Sequence, residues 1–390
     1  MDYKMLIEDI KDDIIAIRRK IHENPELAFQ EYKTTQTIID ELSDCDVDIK
    51  RYGLETGLVV ILKGDKEGKT IAFRADMDAL RIEEKSGLSF SSKIDGVAHM
   101  CGHDIHTSTL LGCIKVLSKL KNEISGRIIF IFQPAEEGLR GANSIIRTGV
   151  FDEYAIDYIT TIHCWPEIKA GTIGLKAGPM MASSNMLEIT IKGKGTHAAH
   201  PHKGVDPILI SSYIINGLQS ISSREIAPTD PIIVSITKIE AGSSHNIVPE
   251  EVKMYGTVRT ITNETQEIIS DIVTRIVENT ASAYRADATV VIEEKTSPLI
   301  ADETLVKELK RCAENSIGVD NIVDLKEPSM GSEDFAKYLE FCKGALIRLG
   351  TKSENYQTQL PLHNPRTIFD EKAIETGMKV ICSFALDYLK

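Results

Sequence analysis

The chain has 390 residues, 42% of them hydrophobic and 26% charged, which is long for a single core and implies two or three domains. A formal net charge of −13 repels polyanions and argues against nucleic acid and anionic membrane surfaces as partners. MDYKMLIEDIKDD has no apolar core of a signal peptide, IIFIF is too short to span a bilayer, and seven cysteines without framework spacing suit free thiols, so a soluble cytoplasmic protein is expected.

KMLIEDIKDDIIAIRRKIHENPE carries apolar residues at helical spacing and stops at Pro25; YKTTQTIIDELS predicts a second helix. Short β-branched runs follow: GLVVILKG, TIAFRAD, RIIFIFQP and AIDYITTIH, with a helix, HTSTLLGCIKVLSKL, between the second and third. Apolar strands alternating with helices predict an α/β sheet covered on both faces. Near residue 183 the pattern changes. MLEITIKGKG, DPILISSYIINGLQSIS, IIVSITKIEAG, VKMYGTVRT, NETQEIISDIVTRIVENTASAYR and ATVVIEE read as β-α-β-β-α-β, the ferredoxin-like order. Alternation then resumes with ETLVKELKRCAENS, NIVDLKE, SEDFAKYLEF, GALIRLG and EKAIETGMKVICSFALDYL. The economical reading is an α/β domain built from residues 1–182 and 297–390, interrupted by a smaller α+β domain at 183–296.

In open α/β sheets ligands bind beyond the carboxyl ends of the strands. There TIAFRA runs into Asp76 and Asp78, RIIFIFQP into Glu136 and Glu137, and AIDYITTI into His163; GALIRLG leads to His363 in PLHNP. AHMCGHDIHTST adds Cys101 and His103 from the loop before a helix. Two glutamates after a buried strand repel each other, and burying both ionised is costly unless cations neutralise them. One glycine separates Cys101 from His103, so an extended backbone is expected to aim both side chains the same way. Thiolate, imidazole and carboxylate together suit zinc, manganese, cobalt or nickel rather than magnesium or calcium. Cys101, His103, Glu137, His163 and His363 exceed what one catalytic zinc needs, and fit two divalent ions sharing a bridging thiolate. Glu136 is then left as a general base for water attacking a carbonyl. Asp76 and Asp78 are candidates to orient a ligand histidine. His99 and His106 fall back to structural or supporting roles.

CGHDIHT, FQPAEEG, HCWP, GKGTHAAHPHKGVDP, SHNIVPE, GSEDF and LHNP together closely resemble the two-metal amidohydrolases of the aminoacylase and hippurate hydrolase group. That group includes N-acetyl-diaminopimelate deacetylases and plant auxin-conjugate hydrolases, within a metallopeptidase superfamily that also holds carboxypeptidase-like enzymes. The match runs from RRKIHENPEL to LHNP. The resemblance implies hydrolysis of N-acyl amino acids, with ligation by Cys101, His103, Glu137, His163 and His363. It makes Glu136 the base and Asp76 an active-site aspartate; related branches carry a histidine at Asp76, with Asp78 as its partner. It implies that the inserted domain is a lid and dimerisation module, so a homodimer or higher homo-oligomer is expected. It also implies that His197, Asn246 and Arg259 bind the substrate, the last two through its carboxylate.

Rival readings differ in chemistry. Cys101 could be a thiol nucleophile with His103 as its base, which leaves Glu136, Glu137, His163 and His363 without roles. His197, His200 and His202 could form a second metal site, though no carboxylate or thiol lies among them. A non-catalytic binding protein would have no need of the base and the five donors. A dipeptidase or carboxypeptidase uses identical chemistry with a different pocket.

Overall fold

The computed structural model describes residues 2–390, which divide into two compact units. The first holds the residues up to Gly178, with Ile300–Lys326 and Lys337–Lys390; the second holds Pro179–Leu299 and Glu327–Ala336.

In the first unit, helix α1 (Tyr3–Glu23) starts at Asp2, whose carboxylate accepts the Lys4 N–H, and ends before Pro25. Then come α2 (Tyr32–Glu41), β1 (Asp48–Lys50), β2 (Leu58–Lys63), β3 (Lys66–Asp76), α3 (His103–Ser118), β4 (Ser125–Gln133), β5 (Tyr158–Lys169) and β6 (Ile173–Leu175). The later segments supply α4 (Glu303–Ile317), β7 (Ile322–Asp324), β8 (Lys343–Lys352) and α5 (Lys372–Tyr388). The strands form one eight-stranded mixed sheet in the order β1-β2-β4-β3-β5-β8-β6-β7. Its inner strands β4, β3, β5 and β8 are parallel, whereas β1–β2, β2–β4 and β8–β6 pair antiparallel.

Continuous apolar runs make these strands, because both faces are covered: Ile128 to Gln133 of β4 are all buried. Phe73 of β3 stacks on Phe130 of β4 at 6.0 Å and meets Phe384 of α5 edge-on at 6.2 Å. Helix α3 is buried except at Lys115 and Ser118, its largely polar first two turns from His103 to Thr109 included. It therefore holds its first residue, His103, deep in the unit.

The second unit contains a four-stranded antiparallel sheet, Ile232–Ala241, Glu251–Thr260, Ser184–Lys192 and Asp287–Thr296 in spatial order. With helices Pro207–Leu218 and Asn263–Ala283 the chain order is β-α-β-β-α-β, and the spatial order is ferredoxin-like. Alternate strand residues Leu187, Ile189, Ile191, Val252 and Met254 pack with Ile210, Ile214, Val273 and Val277 of the helices. Asp206 and Thr262 cap the two helices through their side chains.

Two local expectations change. SEDFAKYLEF forms a seven-residue 3-10 stretch, Asp334–Glu340, not an α-helix, because so short a segment does not repay an α-helical nucleus. DPILISSYIINGLQSIS is α-helical only to Leu218 and continues as a π-helical turn, Ile221–Glu225. Among the described residues no helix is long and apolar enough to cross a membrane, and all seven cysteines are free.

Candidate metal centre

Strands β3 and β4 end level, with Asp76 paired to Gln133, and on β5 His163 lies opposite Arg348 of β8. The loop into α3, the turn after β4 and the His363 loop meet at this edge. Cys101, Glu136 and His163 are buried, whereas His363 keeps half of its side-chain surface (50%) in solvent.

The backbone between Cys101 and His103 is not extended. Gly102 has φ +88° and ψ 16°, a left-handed conformation that glycine adopts without steric cost. A Cβ there would lie 2.7 Å from the Cys164 Sγ. The turn lets α3 begin at His103, so loop geometry and helix direction together aim the thiol and imidazole. His363 also has a left-handed backbone, φ +64°, and its N–H donates to the Met100 carbonyl at 2.9 Å.

The structure brings all five expected donors together. Cys101 Sγ lies 3.6 Å from His163 Nε2. Glu137 Oε1 lies 3.8 Å from His103 Nε2 and 3.4 Å from His363 Nε2. Such separations match edges of a coordination shell with bonds of about 2.0–2.3 Å. Cys101, His103 and His163 form one donor group, and Cys101, Glu137 and His363 another, each with ligand atoms within 4.8 Å of one another. Cys101 belongs to both. His103, Glu136 and Glu137 form a third group of the same tightness.

The donor set fits cations on two further grounds. His103 Nε2 and Glu137 Oε1 are buried without a hydrogen-bond partner, a costly state unless something positive sits between them. Burial pulls the His103 imidazole down, but the carboxylates of Asp76, Asp78 and Glu137 outweigh it and hold it at about 10. Three carboxylates facing one imidazole make this corner of the site electronegative, which favours cations. His103 Nδ1 donates to the Asp78 carbonyl at 2.8 Å and His163 Nδ1 to the Cys164 carbonyl at 2.9 Å, which leaves each Nε2 facing the site.

Asp76 and Asp78 both flank the His103 imidazole, the Asp78 carboxylate 3.4 Å from its Nδ1 and the Asp76 carboxylate 3.6 Å from its Nε2, and each also has partners of its own. Asp76 is fully buried between the Arg74 guanidinium (2.6 Å) and His106 Nδ1 (2.6 Å). Burial pushes its carboxyl up, but His103, His106 and Arg74 hold it well below the usual range. His106 Nε2 in turn accepts the Cys164 N–H at 2.8 Å. Asp78 supports His103 through its backbone carbonyl, while its carboxylate accepts the N–H groups of Glu136 (3.0 Å) and Glu137 (3.1 Å). Expectation had not singled out Arg74, whose place in an otherwise apolar buried strand is itself the signal that a partner charge is near. It had also passed over Arg18 and His22. Arg18 Nε pairs with Asp104 at 2.6 Å and His22 Nδ1 bonds Asp104 at 2.8 Å, directly behind His103. His22 Nε2 lies 3.2 Å from Glu84, whose Oε2 accepts the Ser92 N–H at 2.6 Å.

The remaining expected residues lie in the second unit. His197 sits on a two-residue strand paired with Ile247, beside an open groove of about 700 Å³. Asn246 accepts the Ala198 N–H on its carbonyl and the Ser244 hydroxyl on its side chain. Arg259 donates to the Met330 carbonyl at 3.3 Å, and burial lowers its guanidinium from the ordinary value. The rings of His197, His200 and His202 stand about 6 Å apart, 5.9 Å and 6.1 Å between neighbours, and join no tight donor group.

A sheet edge carrying a shared thiolate, histidines and paired glutamates defines a class: metal-dependent hydrolases that use two divalent ions. The sequence matches Peptidase family M20/M25/M40 over residues 72–387, and the chain belongs to that family. It is 38% identical to an N-acetylcysteine deacetylase of Bacillus subtilis (strain 168) over 382 residues, 97% of each chain. It is also 38% identical to thermostable carboxypeptidase 2 of Saccharolobus solfataricus over 374 residues, covering 95% of this chain and 94% of that one. The crystal structure of a dinuclear metal-binding M20 peptidase from Bacillus subtilis superposes with a TM-score of 0.87 at 34% identity, covering 98% of this chain and 99% of that one. The protein is accordingly a hydrolase of amide bonds.

Proposed function

We propose that the protein hydrolyses the amide bond of N-acyl amino acids, acetyl or benzoyl, to a carboxylate and a free amino acid. The observation that carries this reading is the membership of Cys101 in two donor groups, with Glu136 beside His103 and Glu137. In it Cys101, His103 and His163 would hold one ion, and Cys101, Glu137 and His363 the other. Divalent manganese, zinc, cobalt or nickel there would supply Lewis acidity and acidify water. Glu136 takes the proton of the attacking water and delivers it to the leaving amine. Asp76 keeps His106 and the strand end in place, and Asp78 aims His103 and the Glu136 turn. The second unit acts as lid and dimerisation module, with His197, Asn246 and Arg259 receiving the substrate, the last two at its carboxylate. Exposed Met186, Ile239 and Val291 on its strands support self-association. Free cysteines support a cytoplasmic setting.

Carboxypeptidase action on short peptides is the second reading, favoured by the likeness to the Saccharolobus enzyme. A panel of N-acetyl and N-benzoyl amino acids, N-acetyl-diaminopimelate and dipeptides, assayed with each first-row metal, separates the two. Preference for dipeptides throughout would reject the acylamino-acid reading. Full activity after exhaustive chelation would reject both, and return Cys101 as a nucleophile.

A further inference from the structure

We propose that Glu31 is a positioning residue that sets the turn carrying Glu136; this rests on the reading of Glu136 as general base. Glu31 stands at the N-cap position of α2, where a short polar side chain would ordinarily bond the helix's own amides. It makes no such bond. Glu26 does that work: its Oε1 accepts the Lys33 N–H at 3.0 Å, and its Oε2 the Thr34 N–H at 2.9 Å and hydroxyl at 3.0 Å. The Glu31 carboxylate, fully buried, turns instead to the far side of the sequence. Its Oε1 accepts the N–H of Phe29 at 3.0 Å and the N–H of Ala135 at 2.9 Å.

Ala135 is the residue before the glutamate pair, and its φ of +55° is left-handed; Leu139, just past the pair, has φ +50°. Residues with a Cβ hold such a conformation only where their surroundings over-determine it. The Asp78 carboxylate already takes the amides of Glu136 and Glu137. Glu31 adds the third, so three successive N–H groups end on two buried carboxylates from separate parts of the chain. Fixing those amides fixes the direction in which the Glu136 and Glu137 side chains leave the turn. Burial, with the Asp78 charge beside it, pushes the Glu31 carboxyl up to about 7. What the turn takes from Glu31 is one acceptor oxygen, Oε1, which an amide side chain also offers.

The test compares Glu31→Gln, Glu31→Leu and Glu31→Asp as metal-loaded full-length enzymes, with Glu136→Gln in parallel. Metal content, thermal unfolding, kcat and KM are measured on the best substrate of the panel. Glu31→Leu loses the acceptor and Glu31→Asp its reach, so kcat is expected to fall by about tenfold to a hundredfold. KM is expected to stay within about twofold; because the same turn also carries Glu137, both ions are brought to full occupancy with excess metal before kcat is compared. Glu31→Gln keeps the oxygen and is expected to restore kcat to within about threefold of wild type. If Glu31→Leu does not fold, Glu31→Asp against Glu31→Gln decides. Wild-type kcat in Glu31→Asp, a Glu31→Gln as slow as Glu31→Asp, or losses fully explained by missing metal would each overturn the proposal. Near-normal turnover in Glu136→Gln would instead remove the base assignment on which it rests.

Discussion

Cys101 Sγ lies 3.6 Å from His163 Nε2, and the same sulfur belongs to a second donor group with Glu137 and His363. One side chain thus serves both candidate ion positions. Cys101→Ala should weaken both ions together, whereas loss of a terminal donor such as His363 should weaken one first. Cys101→Asp should retain part of the metal and activity, since a carboxylate also bridges cations. Metal content after dialysis, set beside turnover, checks this; an active Cys101→Asp is incompatible with a thiol nucleophile.

Glu136 is buried on a turn whose amides are held by Asp78. Replacing it by Gln keeps volume and backbone but removes the proton carrier. Turnover should fall by about 10²–10⁴-fold with both ions still bound. Stopped assays together with metal analysis test both halves of the statement, and a variant with ordinary turnover would strip Glu136 of its role.

Gly102→Ala brings two penalties at once. The residue must hold φ +88°, and its Cβ would meet Cys164 Sγ at 2.7 Å and Cβ at 2.9 Å. A left-handed alanine costs about 1–2 kcal/mol and overpacking about 1–3 kcal/mol, so a loss of about 2–5 kcal/mol and weaker metal binding are expected. Denaturant unfolding gives the first number. Adding Cys164→Ala should recover the Sγ share of the packing part and leave the Cβ contact and the backbone part; full recovery would mean that backbone strain plays no role.

The cluster behind His103 predicts an acid dependence. Burial pushes the Glu84 carboxyl up, but the bonds from His22, Ser86 and the Ser92 N–H outweigh it and hold it at about 2, against an ordinary 4.5. A depressed carboxyl contributes stability that is present above pH 4.5 and is lost as pH falls from 4.5 toward 2. Between those limits the wild type should lose on the order of 1–2 kcal/mol more than Glu84→Gln, both measured metal-free. Parallel pH profiles of the two proteins would show that Glu84 is not held in this way.

Much of this architecture was legible in the residues, and the illegible parts share a cause. Runs such as RIIFIF announce strands because a sheet covered on both faces accepts nothing else, and the donors stand out because cysteine, histidine and paired glutamate are expensive to bury alone. Direction was harder to read. That Gly102 is left-handed, that the Asp76 carboxylate turns to His106 and that Asp78 reaches His103 by its main chain all depend on backbone dihedrals fixed by contacts far along the sequence. Glu31 looked like any acid at a helix start, since nothing local reveals that Glu26 has taken the cap. The 3-10 stretch at Asp334–Glu340 has helical composition, and only its shortness argues against an α-helix.

Strand β8 lies inside the large sheet, between β5 and β6, yet in the chain it follows both segments of the second unit. As the protein leaves the ribosome, β5 must wait with an open edge through the synthesis of the whole second unit. Strands β6 and β7 have no route into the sheet until β8 arrives. Temporal and spatial order therefore conflict: the second unit, contiguous but for Glu327–Ala336, is free to condense early, while the first closes late around long-range pairings. His363 emerges after β8, so the donor set is complete only once both segments of the second unit have been made. Completion of the ligand set thereby waits on the strand that closes the sheet, and a half-made sheet cannot acquire the full complement of ligands.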